Sequence, residues 1–169
     1  MKNYYYDTYI EDGTTRQGLR EIGYRQTVSH ERRRFSDIPQ GATLPVLEQG
    51  PITRTQIVKY AGASYDFNPI HHDEEFAHRS LSGGIIAHGM MIMGYLGKCA
   101  TAYLGTARFS RFRSRNVTMT RPGETLLIEG RVIEKIATAY GGILRLEMTA
   151  RDKTTGEVRC VGEITVDLE

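Results

Sequence analysis

The sequence predicts an α+β fold in two layers, with an antiparallel sheet wrapped around one long helix. Two observations carry this prediction. The stretch from Ile85 to Leu104 is apolar on nearly all sides and contains several small residues, which is typical of a helix buried in a core. The last third of the chain alternates apolar and polar residues between turn-forming glycines, which is typical of antiparallel strands with one buried face.

The bulk properties are those of a single globular domain. The chain has 169 residues, 40% of them hydrophobic and 25% charged, and its formal net charge of +2 is too small to favour nucleic acid as the main partner. Its first residues lack the apolar segment of a secretory signal, and no apolar run reaches the roughly 20 residues that cross a bilayer. Cys99 and Cys160 fit no metal-binding spacing, so we expect two unpaired thiols in a cytoplasmic protein without membrane contact.

Residues 1–40 are predicted to form an N-terminal extension with local structure, and residues 41–169 a single domain. The extension is rich in tyrosine and mixed charge and has no sustained hydrophobic period. Its basic block Arg32–Arg34 could contact phosphates or the acidic groups of a partner, although a solvated surface also explains it.

Short elements before the long helix are predicted from their capping signals. A short strand is expected at Leu44–Leu47. Thr53 and Gln56 fit a capping box, which starts a helix that runs to about Ser64. The carboxylate of Asp73 can cap a second short helix over residues 74–79.

Strands and turns fill the rest of the chain. A strand is predicted over Phe109–Met119, and turns are predicted at Arg121–Glu124, Gly141–Gly142 and Thr154–Glu157. The strands between these turns should bury one apolar face each: Leu126, Ile128 and Val132; Leu144, Leu146, Met148 and Ala150; Val158, Cys160, Gly162, Ile164, Val166 and Leu168.

The polar segment Asp66–Asp73 is the main candidate for chemistry. Pro69 fixes its own φ and pushes Asn68 into an extended shape, so the segment is predicted to be a rigid loop between two helices. Asp66 and His71 lie across that bend, where their side chains can converge on one water that an Asn68 amide orients. A capped turn with no catalytic role explains the same residues. The residues alone favour neither the functional nor the structural interpretation.

His88–Gly89, at the start of the long helix, is a second candidate. Backbone N–H groups there are unpaired and carry the positive end of the helix dipole, and glycine lets a ligand approach closely, so the position suits an oxyanion. Helix packing alone would also explain the glycine. The cluster His71–Glu75 suggests a metal site, but we expect no metal because the spacing of HExxH and similar motifs is absent.

Three parts of the chain resemble a known family. Tyr60–Ala77 (YAGASYDFNPIHHDEEFA) resembles the signature of the MaoC-like (R)-specific enoyl-CoA hydratases and 3-hydroxyacyl thioester dehydratases. Ile86–Met90 (IAHGM) resembles the start of that family's central helix, and Arg115 with Arg121–Glu124 resembles its later strand and turn. The resemblance spans about residues 41–169. It implies a hotdog fold and a homodimer or higher homo-oligomer, or a heterodimer with a related hotdog subunit. In such a dimer the two sheets would join at their edges.

The resemblance also implies residue roles. Asp66 and His71 would be the catalytic acid/base pair that hydrates a trans-2-enoyl thioester, reversibly, with Asn68 as the supporting amide. The Gly89 N–H would bind the thioester carbonyl oxygen, and we expect His88 beside it to contact substrate as well. No cofactor is expected, because the acyl group is carried on coenzyme A or phosphopantetheine.

Three positions depart from the family's usual pattern. Tyr65 stands where a glycine usually precedes the aspartate. Because tyrosine disfavours positive φ, we expect an altered loop shape, with Tyr65 against the acyl pocket. Asn116 and Met119 replace the usual phenylalanine and proline, so the floor of the pocket should differ.

Several alternatives remain at this stage. The chain could dehydrate acyl-carrier-protein intermediates of a fatty-acid or polyketide pathway, with Arg32–Arg34, Lys98 or Arg111 holding the acidic carrier or the phosphates of coenzyme A. It could be the catalytic half of a hotdog heterodimer, or a non-catalytic subunit. It could also be a hydrolase whose water attacks the thioester carbonyl.

Overall fold

The computed structural model describes residues 33–105 and 107–169. Three helices precede most of the sheet: α1 (Arg54–Ser64), α2 (Glu74–Arg79) and α3 (Gly89–Leu104). Short 3-10 turns occupy Phe35–Asp37 and Pro69–His71. The strands are β1 (Leu47–Gln49), β2 (Arg108–Asn116), β3 (Leu126–Thr138), β4 (Gly141–Asp152) and β5 (Val158–Leu168).

All five strands form one antiparallel sheet in the order β1-β3-β4-β5-β2. Helix α3 packs against β3, β4 and β5, which confirms the predicted two-layer α+β fold. The predicted apolar faces are buried, except that Val158 and Gly162 of β5 are only half-buried. Buried residues of α3 complete the core: Met91, Ile92, Leu96, Cys99, Ala100 and Leu104.

Glycines let α3 approach the sheet closely. A Cβ on Gly162 of β5 would lie 2.8 Å from Leu96 Cδ1, and a Cβ on Gly97 of α3 would lie 3.1 Å from Phe112 Cε1. Real Cβ atoms do not sit that close to other atoms without displacing them. These small residues therefore set the distance between helix and sheet.

The long helix begins at Gly89 rather than at the predicted Ile85. The residues before it are extended because their backbone donors are used by neighbouring segments: Ile86 N donates to Ile70 O (3.2 Å) and Ala87 N to Thr120 O (2.8 Å). The tertiary contacts override the helical pattern of the sequence here. They also place the first turn of α3 beside the loop that contains Ile70.

Two strand boundaries differ from the prediction. The first strand is Leu47–Gln49, which pairs with β3. The predicted strand around Leu44 is not formed: Thr43 makes an isolated bridge to Arg131, and Leu44 N donates to Gly130 O. Strand β2 ends at Asn116 instead of Met119, because Val117 N and Thr118 N both turn to Arg159 O.

The predicted turn at Gly141–Gly142 is wrong by two residues. The chain turns at residues 139–140, and both glycines belong to β4. Close packing explains them: a Cβ on Gly141 would lie 2.1 Å from Leu168 O, and one on Gly142 would lie 2.2 Å from Phe35 Cε2.

The predicted helix caps and the remaining turns are confirmed. Thr53 Oγ1 accepts from Gln56 N (3.1 Å) while Gln56 Oε1 accepts from Thr53 N (2.7 Å). Asp73 Oδ1 accepts from Phe76 N (2.9 Å) at the start of α2. The turn at Arg121–Glu124 closes through Glu124 N and Arg121 O (3.3 Å). Asp152 Oδ1 organises the last turn by accepting from Thr154 N and Thr155 N.

Residues 33–40 pack on the same sheet as the rest. Ile38 is fully buried, and Lys135 Nζ donates to the carbonyl oxygens of Phe35 (2.8 Å) and Ile38. The predicted boundary after residue 40 stays a prediction. The rest of the extension, including Arg32, lies outside the described residues.

Both cysteines are buried and unpaired, as predicted. Burial raises the pKa of the Cys99 thiol to about 11 and also raises the pKa of Cys160, so both thiols stay protonated at neutral pH. Among the described residues, no helix has the length and apolar character needed to span a membrane. The cytoplasmic location stays a prediction.

Candidate active site

The loop between α1 and α2 is held rigid by its own side chains. Asn68 Oδ1 accepts from Ile70 N (3.2 Å) and so caps the 3-10 turn Pro69–His71, in which Pro69 takes the first position. Asp66 Oδ1 accepts from Asn68 N (3.3 Å). The capped turn predicted as an alternative to function is therefore present, and it fixes the direction in which His71 points.

Tyr65 ends α1 in the left-handed conformation, with φ 60° and ψ 25°. The expectation that tyrosine would avoid positive φ is therefore wrong. This conformation costs about 1–2 kcal/mol in a non-glycine residue. An edge-to-face contact between the rings of Tyr65 and Phe67, with centroids 5.5 Å apart, accompanies it. The Tyr65 side chain is 86% exposed, so its predicted place against the acyl pocket is not seen within the described chain.

His71 is buried and oriented by the chain in front of α3. Its Nδ1 donates to Ile86 O (2.8 Å), because a carbonyl oxygen can only accept, and its Nε2 therefore carries the free lone pair. Burial lowers the pKa of His71, an effect that the hydrogen bond to Ile86 opposes and the neighbouring His88 reinforces. The structure thus favours a neutral imidazole that can accept a proton.

Asp66 and His71 come together as predicted, and His88 joins them. One carboxylate oxygen of Asp66 and one ring nitrogen from each histidine lie within 4.8 Å of one another. A water bonded to two groups at about 2.8 Å each spans up to roughly 5.5 Å. One water can therefore contact the Asp66 carboxylate and a His71 nitrogen at the same time.

His88 is buried beneath the pair. Its Nε2 donates to the backbone oxygen of Asp66 (3.0 Å), and its ring stacks on His71 with centroids 3.6 Å apart. Tyr60 covers another side of the ring at 4.9 Å. His88 is 1% exposed, and its Nδ1 has no hydrogen-bond partner among the described residues. It braces both members of the pair, and its predicted contact with substrate stays a prediction.

The same three residues could in principle hold a metal ion. The planes of the two imidazoles differ by only 22° and the ring centroids are 3.6 Å apart, so the lone pairs of the two rings lie in separate, nearly parallel planes. Zinc needs ligand nitrogens that converge on one point at about 2.0–2.1 Å. The stacked rings are a better arrangement for holding a water than for binding a metal.

A cavity of about 680 Å³ opens beside His71 and the first turn of α3. Gly89 lines it, and the Gly89 N–H has no partner among the described residues, as expected for the first residue of a helix. The other lining residues are Ile70, Ile86, Ala87, Ile92, Asn116, Val117, Thr118, Met119, Thr120, Arg121 and Arg159. A second depression of about 490 Å³ lies around Tyr140 and Leu168, away from these groups.

A buried arginine that sequence reasoning missed holds the floor of this cavity. Arg159 makes two parallel bonds to Glu124, from Nε to Oε2 (2.9 Å) and from Nη2 to Oε1 (3.1 Å). Its Nη1 donates to Thr118 Oγ1 (2.9 Å) and to Glu157 Oε2 (2.6 Å). Arg159 occupies a polar position in the alternation of β5, so nothing in the sequence marks it as buried.

Comparisons with known proteins identify the family. The family described as MaoC like domain matches residues 40–156. The chain belongs to the MaoC-like domain family. A curated relative, an (R)-specific enoyl-CoA hydratase from Rhodospirillum rubrum, is 35% identical over 72 residues, which is 43% of this chain and 46% of the relative. The chain therefore matches about half the length of that relative.

Solved structures of MaoC-like proteins share the hotdog fold of this chain. The unliganded R-hydratase PhaJ1 from Pseudomonas aeruginosa gives a TM-score of 0.71 at 21% identity, covering 80% of this chain and 84% of that one. The ChsH1-ChsH2 complex from Mycobacterium tuberculosis gives a TM-score of 0.67 at 22% identity, covering 78% and 98%. The expected hotdog fold is confirmed, and the family is one of hydratases and dehydratases.

Proposed function

We propose that this MaoC-like chain catalyses the reversible, (R)-specific hydration of a trans-2-enoyl thioester. The observation that carries the proposal is the placement of the Asp66 carboxylate and a His71 nitrogen within 4.8 Å of each other. His71 lines the same cavity as the unpaired N–H at the start of α3. Base and oxyanion donor therefore face one space, as addition of water to an activated double bond requires.

In the hydration direction, Asp66 and His71 bind one water and His71 Nε2 accepts a proton from it. The water oxygen forms a bond to C3 while the C2–C3 double-bond electrons move toward the carbonyl oxygen, which gains negative charge. The Gly89 N–H and the dipole of α3 stabilise that charge. Return of a proton to C2 restores the thioester, so the net reaction adds one water and consumes no cofactor.

Coenzyme A is the proposed carrier of the acyl group. The name of the Rhodospirillum rubrum relative supports this choice, although the match covers only 43% of the chain. The cationic residues predicted to bind the carrier protein or the phosphates have three different environments. Lys98 Nζ donates to Gln49 Oε1 (2.9 Å), and Arg33 lies over the Tyr103 ring. Arg111 is exposed on β2. An acyl-carrier-protein substrate remains the alternative, and turnover of one acyl group on both carriers separates the two.

The direct test mixes the purified chain with a short trans-2-enoyl-CoA and follows the absorbance of the conjugated double bond together with free thiol. We expect loss of the double bond without thiol release, and a product that chiral analysis identifies as the (R)-3-hydroxyacyl thioester. Thiol release would instead indicate a hydrolase and contradict the proposal.

Dialysis against a chelator should leave the rate unchanged, because no step uses a metal.

A further inference from the structure

Asn116, at the end of β2, lies against the first residue of α3. A Cβ built on Gly89 would lie 2.0 Å from Asn116 Nδ2 and 2.9 Å from its Cγ. Since a Cα–Cβ bond spans about 1.5 Å, the Asn116 amide nitrogen is at most about 3.5 Å from the Gly89 Cα. A side chain at position 89 would displace this amide, so the glycine lets Asn116 Nδ2 lie beside the start of α3.

The Asn116 amide is unpaired and faces the cavity. Within residues 33–105 and 107–169 its side chain makes no hydrogen bond, whereas Thr118 nearby is engaged by both Val158 O and Arg159. Asn116 and Gly89 line the cavity together. Asn116 is exposed, so its amide donors are solvated in the free protein and are available to a ligand that enters the cavity.

We propose that Asn116 Nδ2 is a second hydrogen-bond donor to the thioester carbonyl oxygen, acting together with the Gly89 N–H. This inference rests on the proposed hydration. The Gly89 nitrogen is one further bond from its Cα, so the two donors are within about 5 Å of each other. One oxygen at about 2.9 Å from each fits between them. The charge that moves onto the oxygen as water adds to C3 is then shared by a backbone and a side-chain donor.

The test compares Asn116→Leu, Asn116→Asp and Asn116→Gln in the hydration assay. Leucine keeps the bulk without a donor, and aspartate keeps the shape but places an anion beside the developing charge. Loss of one oxyanion donor typically lowers kcat by about 10²–10³. We expect such a loss for leucine, a larger one for aspartate, and partial recovery for glutamine, with KM changing little because the bond strengthens as charge develops.

A second readout separates this role from a packing role. A 3-oxoacyl-CoA enolises in the cavity if the oxyanion donors stabilise its enolate, which absorbs in the near ultraviolet. The wild type should raise the enolate fraction and Asn116→Leu should not, while both keep the same melting temperature. Unchanged kcat and unchanged enolate absorbance in Asn116→Leu would overturn the inference and leave the hydration proposal standing. A wild type that does not hydrate enoyl-CoA would overturn both.

Discussion

His71 illustrates how burial prepares a single residue for chemistry. Its Nδ1–H is fixed by Ile86 O, and its other nitrogen is left without a proton. Because burial lowers the pKa of His71, the folded protein favours the neutral ring over the protonated one. As the pH falls below the pKa that His71 has in the unfolded chain, the unfolded chain binds the proton before the folded chain does. The free energy of unfolding therefore decreases in that pH range.

The lowered pKa of His71 predicts the pH dependence of the reaction. The neutral, proton-accepting form persists below pH 6.5, the ordinary value for histidine. We therefore expect the acid limb of the kcat/KM profile for hydration to be centred below pH 6.5. A pH profile measured with enoyl-CoA at subsaturating concentration checks this. An acid limb centred at or above 6.5 would contradict it.

At this scale the sequence predicts part of the site. Asp66 and His71 are separated by a proline-stiffened bend, and that local geometry is sufficient to predict that they converge. Arg159 and the bracing position of His88 depend on contacts between distant segments, which have no local signal. The sequence marks Asn116 as a departure at the pocket floor, but its place beside Gly89 depends on a contact between distant segments.

The elements around the cavity meet because their backbones are bonded across the fold. Ile86 N donates a hydrogen bond to Ile70 O in the loop between α1 and α2, and Ala87 N donates to Thr120 O in the segment after β2. The segment in front of α3 thereby holds the base on one side and the cavity wall on the other. This explains why α3 starts at Gly89, later than its apolar pattern alone indicates.

Two glycine substitutions test whether close packing explains the glycines of the strands and helices. Gly141→Ala should lower the free energy of unfolding, because its Cβ would meet the backbone at Leu168 O and its φ of 125° disfavours alanine. Gly62→Ala in α1 meets nothing within 4 Å and should raise that free energy by about 0.5–1 kcal/mol. Urea denaturation measures both. A stabilised Gly141→Ala variant would contradict the packing explanation.

Element types were predictable from hydrophobic period and capping signals, whereas several boundaries were not. The capping box at Thr53 and the N-cap at Asp73 are local signals, and both were predicted. Gly141 and Gly142 read as a turn because glycine marks turns in most sequences. Here they relieve clashes with Leu168 and Phe35, which lie far away in the chain and leave no trace near residue 141.

Across the whole molecule, the cavity opens to solvent beside exposed apolar side chains. Met90, Val117 and Met119 are between 42% and 62% exposed, and all three are at or next to the cavity lining. Strand β2 is an edge of the sheet, with backbone groups on one side that no described strand pairs. We propose that a second copy of the chain pairs with this edge and closes the cavity.

The dimer proposal predicts a solution mass of twice 19.1 kDa. Val117→Glu should lower the mass toward that of one chain, because it places a charge in an apolar interface. Tyr140→Glu is the control, since Tyr140 is 90% exposed at the far hairpin. Analytical ultracentrifugation measures all three proteins. A monomeric wild type would contradict self-association and favour the heterodimer interpretation.

The most direct test of the central claim is the kcat/KM for hydration of a short trans-2-enoyl-CoA by variants of the proposed pair. Asp66→Asn and His71→Ala should each lower it by about 10²–10⁴. Asp37→Asn and His78→Ala change an exposed residue of each type and should retain wild-type rates and melting temperatures. Wild-type rates in both Asp66→Asn and His71→Ala would contradict the assignment of this pair as the catalytic acid and base.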